Sequence, residues 1–321
     1  MATPLHLEFE RDIVELQAQI DGLLRMAEDK GIDVSDEVRI LGRKMEVLKE
    51  EIFRNLTPLE QVHVARHPKR PYTLDYVERV FTDWIELFGD RAYRDDGAIV
   101  GGWARLEGDS IMVVGQQKGR DMKENLWRNF GSPHPEGYRK ALRLMKLAEK
   151  FNRPVVTFID TPGAYPGLGA EKRGQAEAIA RNLREMARLR VPLISVVIGE
   201  GGSGGALALG VTNRSLMLEH SIYSGISPEG CAAILWRTAD EREKAARALK
   251  LTSQELFARG VADEVIPEPP GGAHSNWDEA AHRLKDVLLR HFRELRGMDP
   301  ASLIKDRQGK FEAIGEWEGK V

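Results

Sequence analysis

The sequence predicts an α/β fold that is preceded by a hairpin of two helices. Two observations support this prediction. Apolar residues recur at spacings of three and four through residues 5–55, which is the period of an amphipathic helix. From about residue 97, short β-rich runs alternate with helical segments, a pattern typical of a sheet with helices packed on its faces.

The charge balance and the cysteine and histidine content argue against several classes of function. The chain has 321 residues, 47 basic and 50 acidic side chains and a net charge of −3, which argues against a protein that wraps nucleic acid, although local contact with nucleic acid stays open. The single cysteine, Cys231, excludes an intrachain disulfide and a multi-cysteine zinc site, and we interpret it as a small buried hydrophobe. The eight histidines show no spacing typical of metal ligands, so no metal is expected in this chain.

No targeting or membrane segment is expected. The first residues, MATPLHLEFERDIVEL, are acidic and interrupted by charges, unlike a secretory signal. No apolar stretch approaches the ~18 residues that a transmembrane helix requires. Together with the single cysteine, this predicts a protein of the reducing cytoplasm.

The helical hairpin is predicted over residues 5–55, with a break at Gly31–Ser35. The apolar positions of its two stripes are Phe9, Ile13, Leu16, Ile20, Leu23 and Leu24, then Val38, Leu41, Met45, Leu48 and Ile52. Residues 56–75 follow as a proline-punctuated connector. Its basic cluster Arg66–Arg70 is either a solvated loop or a contact for a phosphate or an acidic partner. A second basic stretch, Lys118–Lys140, leaves the same alternatives open.

The α/β part is predicted element by element. The strands are expected at 98–106, 110–115, 154–159, 191–198, 215–218 and 262–266. The helices are expected at 138–151, 175–189, from 206, over 227–263 and at 277–295. A turn at Glu107–Asp109 joins the first two strands, and a Pro/Gly loop covers 267–274. The last ~25 residues are polar and expected to be loose.

Two glycine-rich turns are the candidate functional features. They are Asp160–Gly169 and Gly199–Gly205, and each follows a predicted strand and precedes a helix. Glycine lets a ligand approach the backbone closely, and the N–H groups at a helix start are donors for an oxyanion. On neighbouring strands, the two turns would frame one site with two sets of donors. The alternative is that both are only tight turns.

The second turn also matches a dinucleotide-binding fingerprint. Gly199, Gly201 and Gly204 have the G-x-G-x-x-G spacing, and Glu219 ends the next predicted strand. Against this alternative, the helix after the turn has room for only about two turns, and strands precede the motif where a first strand is expected.

A hydrolase is a third alternative, because Gly201–Gly205 fits the G-x-S-x-G pattern of a nucleophile elbow around Ser203. That chemistry requires an acid and then a histidine downstream, and His274 and His291 are the candidates. A serine between four glycines is more often a small residue that permits close packing.

Ten segments in a fixed order are more specific than any of these short motifs. They are RPYTLDYV (70–77), GDRAYRDDGAIVGG (89–102), QKGR (117–120), RNFG (128–131), PEGYRKALRLM (135–145), FIDTPGAYPG (158–167), AIARNLREM (178–186), GEGGSGGALA (199–208), ISPEGCA (226–232) and IPEPPGGAH (266–274). Together they resemble the α subunit of bacterial acetyl-CoA carboxylase carboxyltransferase over about residues 5–295. Gly225 departs from the family, where a bulkier apolar residue is expected.

The resemblance implies a crotonase-like (ClpP/crotonase) ββα superhelix after the helical hairpin. It divides the chain into the hairpin (1–55), a carboxyltransferase domain (56–296) and a polar C-terminal tail (297–321). It also implies an α2β2 heterotetramer with a β subunit that carries the zinc ribbon.

The implied activity is transfer of a carboxyl group from carboxybiotin, on the biotin carboxyl carrier protein, to acetyl-CoA. The product is malonyl-CoA, the first committed intermediate of fatty acid synthesis, and the ATP-dependent biotin carboxylase is a separate component. This chain is expected to bind no cofactor covalently, because carboxybiotin is a co-substrate. By resemblance, the amides of Gly204 and Gly205 would hold the biotin ureido oxygen, while Gly163 and Ala164 complete the pocket beside Gly201–Gly202.

Overall fold

The computed structural model describes residues 6–315, which form one sheet with helices on both faces. The strands are β1 (Thr82–Glu86), β2 (Ile99–Leu106), β3 (Asp109–Gln116), β4 (Val155–Thr161), β5 (Leu193–Gly202), β6 (Arg214–Leu218), β7 (Ile222–Ser224) and β8 (Glu264–Ile266). The helices are α1 (Arg11–Lys30), α2 (Ser35–Arg54), α3 (Pro58–Ala65), α4 (Thr73–Val80), α5 (Met122–Trp127), α6 (Pro135–Lys150), α7 (Leu168–Lys172), α8 (Gln175–Met186), α9 (Ser203–Leu207), α10 (Pro228–Trp236), α11 (Arg242–Leu249), α12 (Ser253–Ala258), α13 (Trp277–Arg296) and α14 (Pro300–Glu312). No helix in this part of the chain combines the length and the apolar character needed to cross a bilayer.

The sheet is antiparallel at one end and parallel in the rest. The strand order is β1-β2-β3-β4-β5-β6-β8, with β7 paired to the end of β5. Strands β1, β2 and β3 pair antiparallel, whereas β3, β4, β5, β6 and β8 pair parallel. The predicted turn between β2 and β3 is confirmed: Glu107 and Gly108 both have positive φ, 49° and 84°, as a tight hairpin turn requires.

The two faces of the sheet bury two separate apolar cores. In β5, Ile194 and Val196 face the core that α4 and α13 cover, while Leu193 and Val197 face the core that α6 covers. This alternation follows from the two-residue period of a strand. Because both faces are buried, β4 and β5 are held rigidly, and so are the turns at their ends.

The predicted helical hairpin is confirmed for the described residues. Helices α1 and α2 pack side by side, and Gly31 ends α1 in the left-handed conformation at φ 65°. Only Leu16, Ile20 and Phe53 are buried within the two helices, so most of the hairpin surface lies in solvent.

The interpretation of residues 56–75 as a connector is wrong for most of its length. Helix α3 fills Pro58–Ala65, and its N-terminus has a capping box between Thr57 and Glu60 with proline at the first helical position. The basic cluster after it is not a solvated loop either, since Arg70 is fully buried. Local capping and long-range ion pairs order this segment despite its polar composition.

The expectation of a loose C-terminal segment is wrong for Pro300–Glu312, which forms helix α14. Arg307 is fully buried and donates hydrogen bonds to the carbonyl oxygens of Met186 (2.6 Å), Leu189 (2.9 Å) and Val191 (3.2 Å). It also donates to Oδ1 of Asn213 at 2.8 Å. Burial lowers the pKa of Arg307 to about 10, so the guanidinium stays charged at neutral pH and fastens the helix to the end of α8.

Replacing Arg307 by methionine is expected to lower the free energy of unfolding by about 3 kcal/mol, because buried carbonyl groups lose a charged donor. Lys305→Met is the matched control, since Lys305 is exposed on the same helix, and a change within about 0.5 kcal/mol is expected. Urea denaturation of both variants measures the difference. Equal stabilities would contradict the anchoring role of Arg307.

Candidate active site

The two glycine turns lie against each other at the ends of adjacent strands. Strands β4 and β5 are parallel neighbours, with Thr161 opposite Gly201. A Cβ atom at Gly205 would lie 2.6 Å from the amide nitrogen of Ala164, and one at Gly202 would lie 2.3 Å from the carbonyl oxygen of Pro162. The backbones are therefore in direct contact, and side chains at these two glycines would push the turns apart.

The other three glycines of the site differ in how much space a Cβ atom would have. Gly163 adopts φ 147°, a conformation that favours glycine, and a Cβ there would make ordinary contacts with Ser203 at 3.9 Å and with the carbonyl oxygen of Gly202 at 4.0 Å. A Cβ at Gly204 would make ordinary contacts with the Ile179 side chain at 3.7 and 3.8 Å. A Cβ at Gly201 would lie 2.5 Å from the Tyr223 ring, which supports the end of β5. The structure thus separates Gly204, where a methyl group fits, from Gly205, where it does not.

Helix α9 begins at this contact and supplies the donors. It spans Ser203–Leu207, and its N-cap, Gly202, has no side chain to accept from the first amides. The amides of Gly204 and Gly205 are in the first turn, where the helix itself provides no acceptor. Ser203 has a positive φ of 52°, an uncommon conformation for a residue other than glycine. The backbone therefore bends sharply at Ser203, and the amide N–H groups of Gly204 and Gly205 follow directly after this bend.

A buried glutamine holds both turns, and sequence reasoning missed it. Gln116 ends β3 and donates from Nε2 to the carbonyl oxygen of Gly205 at 2.9 Å. Its Oε1 accepts from the amide of Asp160 at 3.0 Å, and the side chain is fully buried. The usable signal was a polar residue at the end of a buried strand next to the glycine-rich strands.

Beneath the turns lies a chain of ion pairs. Asp160 Oδ1 accepts from Lys118 Nζ at 2.6 Å and from the amide of Glu200 at 3.0 Å. Glu200 Oε1 accepts from Arg66 Nη2 at 2.7 Å, and Arg66 Nη1 also donates to Glu229 at 2.9 Å. Burial alone would lower the pKa of Lys118, but the charges of Asp160 and Glu200 raise it, so the ammonium group stays charged. These pairs hold the strand ends in place.

The basic residues flagged in the sequence mostly find carboxylates within the chain. Besides Arg66 and Lys118, the ion pairs are Arg70–Glu268, Arg120–Asp75, Arg128–Glu124, Arg139–Asp90 and Lys140–Asp95. Their positive charge is therefore largely neutralised inside the protein. Free solvation is therefore wrong for these paired residues, whereas contact with a phosphate or an acidic partner stays a prediction.

The hydrolase alternative lacks its triad. The Ser203 side chain is exposed, and its hydroxyl forms no hydrogen bond within residues 6–315. His274 bonds to Glu10 at 3.0 Å and His291 bonds to Glu264 at 2.7 Å, so both histidines are engaged elsewhere. Neither histidine is therefore positioned to activate the serine.

The dinucleotide-binding alternative does not fit the structure. Strand β5 contains Gly199 and Gly201 within its length and lies inside the sheet, and helix α9 has only five residues. Gly199 packs against Asp160 and would have no room for a Cβ, so it serves strand packing. Cys231 is confirmed as a buried small residue, packed with Ala232 and Ala245.

Comparison with known proteins agrees with this architecture. A family model described as acetyl co-enzyme A carboxylase carboxyltransferase-like matches residues 6–315. The acetyl-coenzyme A carboxylase carboxyl transferase subunit alpha of Gemmatimonas aurantiaca is 57% identical over 320 residues, 99% of each chain. Other relatives at 53–56% identity carry the same name.

Solved structures share the fold. The chain is similar to a Pseudomonas malonate decarboxylase hetero-tetramer in complex with coenzyme A, with a TM-score of 0.56, 20% identity and coverage of 67% of this chain and 86% of that one. It is also similar to the β subunit of geranyl-CoA carboxylase from P. aeruginosa, with a TM-score of 0.55, 20% identity and coverage of 77% and 46%.

The fold defines a protein of the crotonase-like class, as predicted. Within that class, the chain belongs to the acetyl co-enzyme A carboxylase carboxyltransferase-like family, because the family model covers nearly all of it. The resemblance and the carboxyltransferase function predicted from the ten segments are confirmed.

Proposed function

We propose that this chain, together with a β subunit, moves the carboxyl group of carboxybiotin to acetyl-CoA and forms malonyl-CoA. The observation that carries the proposal is the backbone contact between the two glycine turns, with helix α9 starting at that contact. Family membership supports it, as does the shared name of the relatives, each an acetyl-coenzyme A carboxylase carboxyl transferase subunit alpha. The carboxybiotin would arrive on the biotin carboxyl carrier protein, loaded by a separate biotin carboxylase.

The chemistry requires two oxyanions to be stabilised. When the bond between the ureido nitrogen and the carboxyl carbon breaks, CO2 leaves and negative charge develops on the ureido oxygen of biotin. The biotin anion then takes a proton from the acetyl methyl group, and the enolate carbon forms the new bond to CO2. Preorganised N–H donors stabilise both charges, and no side-chain base is required.

The glycine turns have the donors that one of these charges needs. The amides of Gly204 and Gly205 would hold the ureido oxygen, while Gly163 and Ala164 would form the facing wall. Gly201–Gly202 would line the approach along β5. Close approach of the ligand to this backbone is supported by the small residues at Gly163–Ala164 and Gly201–Gly205.

The β subunit would complete the site. It would bind the thioester oxygen, make most of the contacts with CoA and carry the zinc, in an α2β2 assembly. With the thioester oxygen bound by the β subunit, this chain would need to supply donors only for the biotin oxyanion. A cytoplasmic setting is part of the proposal, since the single cysteine is free and buried.

Reconstitution tests the function. The full chain, a β subunit from an acetyl-CoA carboxylase and the mixture are each incubated with carboxybiotin and acetyl-CoA, and malonyl-CoA is measured. We expect product only from the mixture, because half of the oxyanion stabilisation resides on each chain. Ser203→Ala in the mixture is expected to retain activity within about threefold, because Ser203 has no partner that would activate it.

Two outcomes would contradict the proposal. Product formation by this chain alone would place the complete site on it. A loss of about 10³-fold or more in Ser203→Ala with an unchanged fold would restore the nucleophile interpretation, since that is the effect of removing a nucleophile.

A further inference from the structure

A second cluster of reactive side chains lies away from the glycine turns, between the helical hairpin and the body. Glu10 precedes α1, His67 follows α3, and His274 lies in the loop between β8 and α13. Glu10 and His274 are 264 positions apart in the sequence, so no spacing rule could associate them. The potential ligand atoms of the three residues all lie within 4.8 Å of one another.

The three side chains are close and shielded from solvent. His274 Nε2 and Glu10 Oε1 are 3.0 Å apart, and the imidazole rings of His67 and His274 stack with their centroids 4.1 Å apart. Glu10 is 7% exposed and His67 is 2% exposed, and the Phe53 ring lies beside His274. The buried Nδ1 of His274 has no hydrogen bond within the described residues. Such buried polar groups normally have a partner, so this one is unexplained by the protein alone.

A cavity of about 510 Å³ opens beside the cluster. Its walls come from α1 and α2 on one side and from the segments of His67 and His274 on the other, and His6 also lies on the wall. The cavity gives an ion a route of entry and room for a water molecule. It also offers a further imidazole from His6.

We propose that Glu10, His67 and His274 bind a divalent transition-metal ion of the zinc type, which fastens the helical hairpin to the body. Two imidazoles and one carboxylate form a known zinc donor set, with the fourth position open to water or another ligand. Ligands about 2.1 Å from a tetrahedral ion lie about 3.4 Å apart, so the three side chains can bind an ion after shifts on the order of 1 Å. Imidazole nitrogen favours zinc, cobalt, nickel and copper over magnesium and calcium.

The attachment of the hairpin gives the ion a structural role. Helices α1 and α2 bury only Leu16, Ile20 and Phe53, so apolar packing holds them weakly. The proposed ligands come from three separate segments, one of which is the start of the hairpin. An ion that binds all three stabilises the folded state because the unfolded chain lacks the assembled site.

Zinc titration of the full chain, after treatment with a chelator, tests the proposal. Calorimetry is expected to give one equivalent of Zn²⁺ bound with a Kd of about 1 μM or tighter, and a rise in Tm. His67→Gln and His274→Gln are each expected to weaken binding at least ~10-fold. His282→Gln is the matched control, since His282 lies exposed on α13, where it pairs with Asp286, and the variant is expected to bind zinc like the native chain.

Glu10→Gln separates ligation from folding, because the amide keeps a hydrogen-bonding group near His274 but loses the charged ligand. It is expected to fold normally by circular dichroism and to weaken zinc binding at least ~10-fold. Native affinity for zinc in this variant or in the two histidine variants would overturn the proposal. So would the absence of zinc binding by the native chain, or equally tight binding of Mg²⁺.

Discussion

Replacing Gly205 by alanine is expected to lower the rate of carboxyl transfer by the reconstituted enzyme about 100-fold or more. The added Cβ would lie 2.6 Å from the nitrogen of Ala164 and 2.7 Å from the carbonyl carbon of Gly163, so the two turns must separate. A displacement of about 1 Å in groups that position a substrate has an effect of this size. The free energy of unfolding is expected to fall by about 1–3 kcal/mol, as for other overpacked sites.

Gly204→Ala is the control for this experiment, because it adds the same methyl group one residue earlier. Its Cβ would make only ordinary contacts with Ile179, so the turns stay in place and the stability is expected to change by no more than about 0.5 kcal/mol. The amide donor also remains. The activity of Gly204→Ala is therefore expected to exceed that of Gly205→Ala by at least about tenfold.

The measurement is the initial rate of malonyl-CoA formation, with a melting curve for each variant. If Gly205→Ala retains activity within about threefold of the native enzyme, contact between the turns does not position the reacting groups. If both alanine variants lose activity equally without loss of stability, the open space at Gly204 belongs to a substrate.

The contact between the two glycine turns was predictable because it depends on local sequence. Glycine-rich turns mark sharp bends, and turns that follow neighbouring parallel strands meet at one edge of the sheet. Gln116 was not predictable in the same way. Its side chain reaches Gly205 and Asp160, which are 89 and 44 positions away in the sequence. Such contacts depend on strand order, which the sequence pattern leaves open.

Two of the helices that the sequence analysis did not predict have clear start signals. Thr57 and Pro58 begin α3, and Asp299 and Pro300 begin α14, each with a side-chain cap and proline at the first position. Helix α3 has only eight residues, too few to show a clear apolar period, and that period is also weak in the α14 sequence PASLIKDRQGKFE. These helices are stabilised by tertiary contacts such as those of Arg307, and a local sequence pattern does not reveal such contacts.

The second large effect is expected on stability, from a buried ion pair between Arg70 and Glu268 that lies behind the second glycine turn. Arg70 donates from Nε to the carbonyl oxygen of Ile198 at 2.6 Å and from its two terminal nitrogens to Glu268, at 2.9 Å for Nη1. The carboxylate also accepts from the amides of His220 (2.9 Å) and Ala273 (2.6 Å). Arg70 thus joins the strand that carries Gly199–Gly202 to the Pro/Gly loop.

This pair makes the folded state sensitive to acid. Burial would raise the pKa of Glu268, but the charge of Arg70 lowers it to about 2, compared with 4.5 for a free glutamate. Because the pKa is lower in the folded state, the stabilisation is fully present above about pH 4.5 and is lost as the pH falls toward 2. Unfolding free energies measured across this range are expected to decline, and the decline is expected to be smaller in a variant without the carboxylate.

Arg70→Met is expected to lower the free energy of unfolding by about 3–5 kcal/mol, because it leaves the Glu268 charge buried without its partner. Arg247→Met is the control: it breaks an exposed pair with Glu243, whose side chains are 62% and 57% exposed, and a loss within about 0.5 kcal/mol is expected. The double variant Arg70→Met/Glu268→Gln removes both charges and is expected to recover much of the lost stability, since replacing a whole buried pair is far less disruptive than removing half of it. Urea unfolding of the three variants and the native chain distinguishes the cases. If the double variant is no more stable than Arg70→Met, the loss comes from the hydrogen bond to Ile198 and from packing, and the uncompensated charge of Glu268 is not its cause.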